Sequence, residues 1–130
     1  MGYREDIITA CKALESDGLN RGASGNVSVR DGGDMLITPS AVGYDLIEPK
    51  MIARMSLADD TGAWDGPNKP SSEWRFHHDI LCARSDINAV VHTHAPYATI
   101  LAIARKPIPA LHYMIAAFGG PDIRVCDYAR

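Results

Sequence analysis

Two histidines flanking one threonine, His92-Thr93-His94, carry the sharpest chemical signal in this chain. On an extended strand, side chains at i and i+2 share a face, so both imidazoles would converge on one point. Two such nitrogens supply half of a tetrahedral metal shell or part of an octahedral one. The plain alternative is a pair of surface histidines. The motif ends an apolar run and precedes a helix start at Pro96, and strand ends are places where function gathers.

Pro70-Ser71-Ser72-Glu73 is the second signal. A helix start presents unpaired backbone N–H groups and the positive end of the dipole, and two hydroxyls add donors, which suits a phosphate. Plain capping is the alternative. Glu73 matters chemically only if the fold carries it to His92 and His94. Gly22-Ala23-Ser24-Gly25-Asn26 would let the backbone approach a ligand closely, or would simply make a tight helix-to-strand connection. His77 and His78 are adjacent, and adjacent helical residues diverge by about 100°, so both read as structural. His112-Tyr113 lies in an apolar stretch, where Tyr113 is either packed in a strand or an acid/base.

Several elements must position these groups. Tyr3 to Asp17 has Ile7, Ile8, Cys11 and Leu14 at helical spacing, with Gly18 placed to cap the end. Val27–Arg30 and Met35–Thr38 flank Asp31-Gly32-Gly33-Asp34, the pattern of a β-hairpin. Glu48-Pro49 opens a short turn of helix before a strand from Ile52 to Leu57. Ser71 and Ser72 offer N-cap hydroxyls to a helix reaching about Arg84, with Glu73 in its first turn. Ala89 to His94 reads as a strand, Pro96 to about Ala104 as a helix, and Pro107 to Arg130 as short strands joined by turns. Interleaved helices and strands argue for an α/β or α+β domain built in layers.

Composition bounds the rest. The chain has 130 residues, 46% of them hydrophobic, which suits one globular domain. Thirteen Lys and Arg against sixteen Asp and Glu leave a net charge of −3 with no basic run, which argues against nucleic acid as a partner. No apolar run approaches the roughly 20 residues that span a bilayer. Met1-Gly2-Tyr3-Arg4-Glu5-Asp6 has neither an export core nor the myristoylation pattern. Cys11, Cys82 and Cys126 are odd in number and widely spaced, as in a reducing compartment, so the expected location is cytoplasmic.

Taken in order, the segments resemble the class II aldolase/adducin family, and within it the sugar-phosphate aldolases. The resemblance runs through Gly18-Leu19-Asn20, Gly25-Asn26-Val27-Ser28-Val29-Arg30 and Met35-Leu36-Ile37-Thr38-Pro39-Ser40. It continues in Pro70-Ser71-Ser72-Glu73-Trp74-Arg75-Phe76-His77, Asn88-Ala89-Val90-Val91-His92-Thr93-His94 and Ile108-Pro109-Ala110-Leu111-His112-Tyr113-Met114-Ile115-Ala116-Ala117. These segments follow one another in order through nearly the whole chain.

The resemblance implies an α/β fold, a three-layer α/β/α domain around a mostly antiparallel sheet, with residues 1–130 as the N-terminal portion of a single domain. It implies a homotetramer with active sites between subunits. One zinc ion per subunit would be held by His92, His94 and a third histidine later than Arg130. Glu73 would be the acid/base beside the metal, and Asn26, Ser40, Ser71 and Ser72 would hold the substrate phosphate. Tyr113 would reach a neighbouring subunit's site as a proton donor. The implied reaction is retro-aldol cleavage of a ketose 1-phosphate to dihydroxyacetone phosphate and a small aldehyde. Epimerases, dehydratases and decarboxylating relatives share the metal site and form the alternative, with a non-catalytic, adducin-like binding module as the third reading.

Three departures stand out. Ala23 occupies a position where close relatives carry Thr, and Ala41 follows Ser40 where Gly is usual. The chain stops at Arg130, inside an apparent strand pattern, so the expectation is a fragment lacking the third zinc ligand.

Overall fold

A computed structural model describes residues 2–127, which divide into two compact units, the first running to His94 and the second starting at Ala95. The first unit opens with α1, Tyr3–Ser16. Its apolar residues fall three and four apart, so Ile7 and Cys11 are buried on one stripe while the rest faces outward. Glu5 and Asp6 complement the dipole at its start. Asp17 caps its end, and Gly18 follows at φ +72°, the left-handed conformation that lets its N–H and that of Leu19 return to Glu15 and Leu14 carbonyls.

Four antiparallel strands form the sheet: β1 (Asn26–Asp31), β2 (Asp34–Ile37), β3 (Ala53–Ser56) and β4 (Ala89–His92), in the order β3-β2-β1-β4. β1 and β2 make the expected hairpin around Gly32 and Gly33. β3 is one residue shorter at each end than its apolar run, following a 3₁₀ turn at Pro49–Met51. On the other side of β1, β4 pairs so that Asn26 stands opposite His92.

Side chains alternate across this sheet, and each face is covered by a helix. Leu36 and Val27 pack with Ile7 and Cys11 of α1, joined by Tyr44, Ile47 and Ile52. Met35 and Ile37 point the other way, with Ala53 and Met55, against Leu81 of α2 (Trp74–Ala83). The first unit is therefore a three-layer α/β/α arrangement, as the interleaved pattern predicts. Each buried Ile, Leu or Met contributes about 1.5–3 kcal/mol of apolar burial to holding helix on sheet.

Two boundaries differ from the sequence expectation in ways that matter to the site. α2 starts at Trp74 with Glu73 as its N-cap residue, so Ser71 and Ser72 precede the cap instead of supplying it. β4 stops at His92, leaving Thr93 and His94 beyond the ladder.

The second unit holds α3 (Pro96–Ile103) and a 3₁₀ helix at Tyr113–Phe118. Where strands were expected after Pro107, the described residues make only the isolated bridge between Ile108 and Ile123. Pro107 and Pro109 remove ladder donors on either side of Ile108, and Gly119 closes the 3₁₀ helix at φ +80°. The expected pattern at residues 128–130 lies outside the described residues. Among the described residues, no helix is long and apolar enough to cross a membrane.

Candidate metal centre

The start of β1 and the end of β4 meet at the Asn26–His92 pair, and the N-cap of α2 lies against them. Glu73 Oε2 is 2.9 Å from His92 Nδ1, and the His92 and His94 rings lie 4.7 Å apart between centroids. Donor atoms of Glu73, His92 and His94 all fall within 4.8 Å of one another. Phe76 packs edge-on against His92 at 5.0 Å, fixing the ring from the α2 side.

Proximity alone does not pair Glu73 with His92. The contact lacks hydrogen-bond geometry, and His92 Nδ1 is a buried nitrogen without a hydrogen-bond partner. An orphaned buried nitrogen costs about 1–3 kcal/mol unless something else takes its lone pair. Two imidazoles and a carboxylate make the donor set of catalytic zinc sites that keep a position open for substrate. The residues present thus fit a metal ion, held by His92 and His94 with Glu73 beside it.

Behind Glu73 runs a buried chain of hydrogen bonds. Asn26 Nδ2 donates to Glu73 Oε2 at 2.7 Å and to Ser71 Oγ at 3.0 Å. With the amide nitrogen facing the carboxylate, Asn26 Oδ1 faces His77 Nε2 and can only accept, so His77 must donate from Nε2. His77 Nδ1 is then an acceptor, and Ser28 Oγ donates to it at 2.7 Å. From Ser28 through His77 and Asn26 the donors run toward Glu73, with Ser71 as a side branch, and the arrangement requires a neutral His77. Burial first, and the neighbouring His92 second, push the His77 pKa down to about 4 against the opposing pull of Glu73.

The serines gather on the same side. Thr38-Pro39-Ser40 runs antiparallel to Lys69-Pro70-Ser71: Ser71 N–H donates to Thr38 O and Ser40 N–H to Lys69 O, both at 2.9 Å. Ser71 is buried, with its Oγ accepting from Glu73 N–H at 3.3 Å as well as from Asn26. Ser40 is half-buried and Ser72 exposed. Ala41, directly after Ser40, is held at φ 57°, a left-handed conformation that glycine adopts freely.

The structure therefore brings together Asn26, Ser71, Glu73, His92 and His94, with Ser40 and Ser72 on the adjoining segments. It puts Asn26 to a use that its expected phosphate contact does not describe: the side chain is 3% exposed, and both amide protons are engaged by Ser71 and Glu73. Tyr113 belongs to the second unit, where it opens the 3₁₀ helix and is 80% exposed. His78 is structural as read: it packs edge-on with Trp74 at 5.9 Å and lies 3.2 Å from Asp79 Oδ1. His77 is structural in a sense that sequence spacing misses, because its partners Ser28 and Asn26 lie 49 and 51 residues away.

Residues 5–130 match the family described as "Class II Aldolase and Adducin N-terminal domain". The chain is 52% identical over 129 residues to a protein of Rhodospirillum rubrum named 5-methylthioribulose-1-phosphate/5-deoxyribulose-1-phosphate aldolase, covering 99% of this chain and 57% of that protein. It is 46% identical over 123 residues to an L-fuculose phosphate aldolase of Escherichia coli, covering 95% of this chain and 56% of that protein. A solved L-fuculose 1-phosphate aldolase superimposes with a TM-score of 0.89 at 39% identity, over 98% of this chain and 59% of that one. The chain thus spans a little over half the length of the curated relatives it matches.

Proposed function

This chain belongs to the class II aldolase and adducin family, and from that premise we propose that the protein cleaves a ketose 1-phosphate by a zinc-dependent retro-aldol reaction. The products are dihydroxyacetone phosphate and a small aldehyde. The observation that carries this reading is the orphaned, buried His92 Nδ1 set 2.9 Å from Glu73 Oε2 and beside the His94 ring. The relatives named above act on L-fuculose phosphate or on 5-methylthioribulose and 5-deoxyribulose 1-phosphates, so the substrate class is a short, terminally deoxygenated or thioether-capped ketose 1-phosphate.

When bound by His92 and His94, a zinc ion supplies Lewis-acid stabilisation of the negative charge that builds on the substrate oxygens. The chain's own residues then divide the proton work. Cleavage begins with loss of the proton on the C4 hydroxyl, for which Tyr113 from a neighbouring copy is the base. The C3–C4 bond breaks, its electron pair passes to the C3 side, and C4 leaves as the aldehyde. Glu73 delivers a proton to C3, completing dihydroxyacetone phosphate. Ser40, Ser71 and Ser72 bind the phosphate, and Asn26 supports them through Ser71 while orienting Glu73. Anchoring the phosphate uses binding energy remote from C3 and C4 to align the reacting carbons. The high exposure of Tyr113 supports an assembly, expected to be a tetramer, in which its phenol serves another subunit.

Incubation of the zinc-loaded protein with L-fuculose 1-phosphate and with 5-deoxyribulose 1-phosphate tests the reading. Equimolar dihydroxyacetone phosphate and aldehyde, abolished by a chelator, are expected from at least one. A product that keeps the full carbon number, or no turnover of either sugar, overturns it.

A further inference from the structure

His94 lies beyond the end of β4, so no ladder partner fixes it in the position that a metal ligand requires. A side chain does this instead. Asn20 Oδ1 accepts the backbone N–H of His94 at 2.8 Å, and Asn20 Nδ2 stands 3.5 Å from the His92 carbonyl. The two contacts flank Thr93, so one side-chain amide takes the backbone groups on either side of it. Asn20 is 1% exposed; the His94 N–H can only donate and so takes Oδ1, and the contact with Tyr44 agrees with that orientation. The Tyr44 hydroxyl donates to the Ser24 carbonyl at 2.7 Å, so its oxygen accepts from Asn20 Nδ2 at 3.2 Å, which leaves Oδ1 for His94. The approach is so close that a Cβ at Gly25 would meet Asn20 Nδ2 at 2.3 Å and the His92 carbonyl oxygen at 2.6 Å.

We infer that Asn20 is a positioning residue of the metal centre, its side-chain amide extending the β4 ladder so that His92 and His94 present their rings to one ion. The inference rests on the metal reading above and adds to it a residue 74 positions away from His94 that touches neither metal nor substrate. Asn20→Ala frees the His94 backbone and leaves both ligands chemically intact. Zinc affinity, read by competition with a chromophoric chelator well below the unfolding temperature, should fall by about 10–100-fold, as for other supporting residues of metal ligands. The visible spectrum of the cobalt-substituted protein should change with it.

Tyr44→Phe separates positioning from plain destabilisation, because it removes a buried hydrogen bond of the same network and keeps the Asn20–His94 bond. It should lower Tm while holding zinc affinity within about threefold of wild type. Unchanged affinity in Asn20→Ala, or equal losses in the two variants, overturns the inference. If Asn20→Ala does not fold, the through-hydrogen-bond NMR coupling between the His94 amide nitrogen and the Asn20 side-chain carbonyl carbon decides on the wild-type protein, its absence with zinc bound being the overturning result. A wild-type chain that takes up no zinc or cobalt would instead sink the metal reading and this inference together.

Discussion

Asn26 donates an amide proton to Glu73 Oε2 at 2.7 Å across 47 residues of chain, tying the first residue of β1 to the N-cap of α2. The same Asn26 stands opposite His92 in the β1–β4 register, so one side chain fixes the distance between the carboxylate and the histidine pair. Glu73 is also the N-cap residue of α2, so the start of the helix fixes where its side chain begins. The carboxylate is thereby held in one orientation, able to move a proton without reorganising.

Glu73→Gln tests that assignment. Glutamine keeps the shape and an oxygen for Asn26 and removes the ionisable carboxyl. The rate of dihydroxyacetone phosphate release should fall by roughly 10²–10⁴-fold, with zinc still bound by His92 and His94. Turnover near the wild-type rate would assign the proton transfer elsewhere.

His92→Ala and His94→Ala should each abolish stoichiometric zinc, measured by elemental analysis after desalting. Ligand binding to the folded state raises stability by mass action, so the zinc-dependent rise in Tm seen for the wild type should vanish in both. His78→Ala is the control: its ring packs on Trp74, away from the donor cluster, so zinc should remain.

The parts of this site that were legible in sequence are those coded by local pattern. α1 and the β1–β2 hairpin follow from apolar period and from the Gly32-Gly33 turn. The convergence of His92 and His94 was also legible, but through the premise that both lie on one strand; β4 ends at His92, and the geometry is restored by Asn20. Glu73 carries no local sign that it would face His92, because that contact depends on how α2 crosses β1. The divergence of His77 and His78 follows from helical geometry alone, whereas the partners that make His77 part of the site are set by tertiary contacts 49 and 51 residues distant. After Pro107 the apolar runs are too short, and too interrupted by proline, for pattern to separate strand from 3₁₀ helix.

His77 makes the stability of the chain depend on pH. Its pKa is near 4 in the folded protein and about 6.5 when exposed. Between those values the unfolded chain binds a proton that the folded chain refuses, so stability rises with pH across the window. The contribution is complete above about pH 6.5 and is lost as pH falls toward 4, in total on the order of 3 kcal/mol. Urea unfolding at pH 4.5 and 7 reads it, and His77→Gln, which cannot take up a proton, should flatten the difference. A wild-type profile that matches the variant's would mean that His77 takes up its proton as readily in the fold as in the unfolded chain, and the donor chain to Glu73 would have to be redrawn.

Ala41 and Gly25 make a paired test of backbone conformation around the site. Ala41 sits at φ 57°, where an L-residue costs about 1–2 kcal/mol relative to glycine, so Ala41→Gly should raise stability by roughly 0.5–1 kcal/mol after the entropy of the added glycine. Gly25→Ala should do the reverse and more. It adds the same backbone penalty at φ +72° and also forces a methyl into Asn20 and the His92 carbonyl. Gly22→Ala separates the two effects, because Gly22 has φ +60° with open space around it. Gly22→Ala should cost about 1 kcal/mol, while Gly25→Ala should cost distinctly more and weaken zinc binding, since the methyl displaces the side chain that holds His94. Equal losses in stability, with zinc affinity unchanged in both, would mean that the strand ends tolerate the displacement and that the close packing of Asn20 on β4 is not what sets the site.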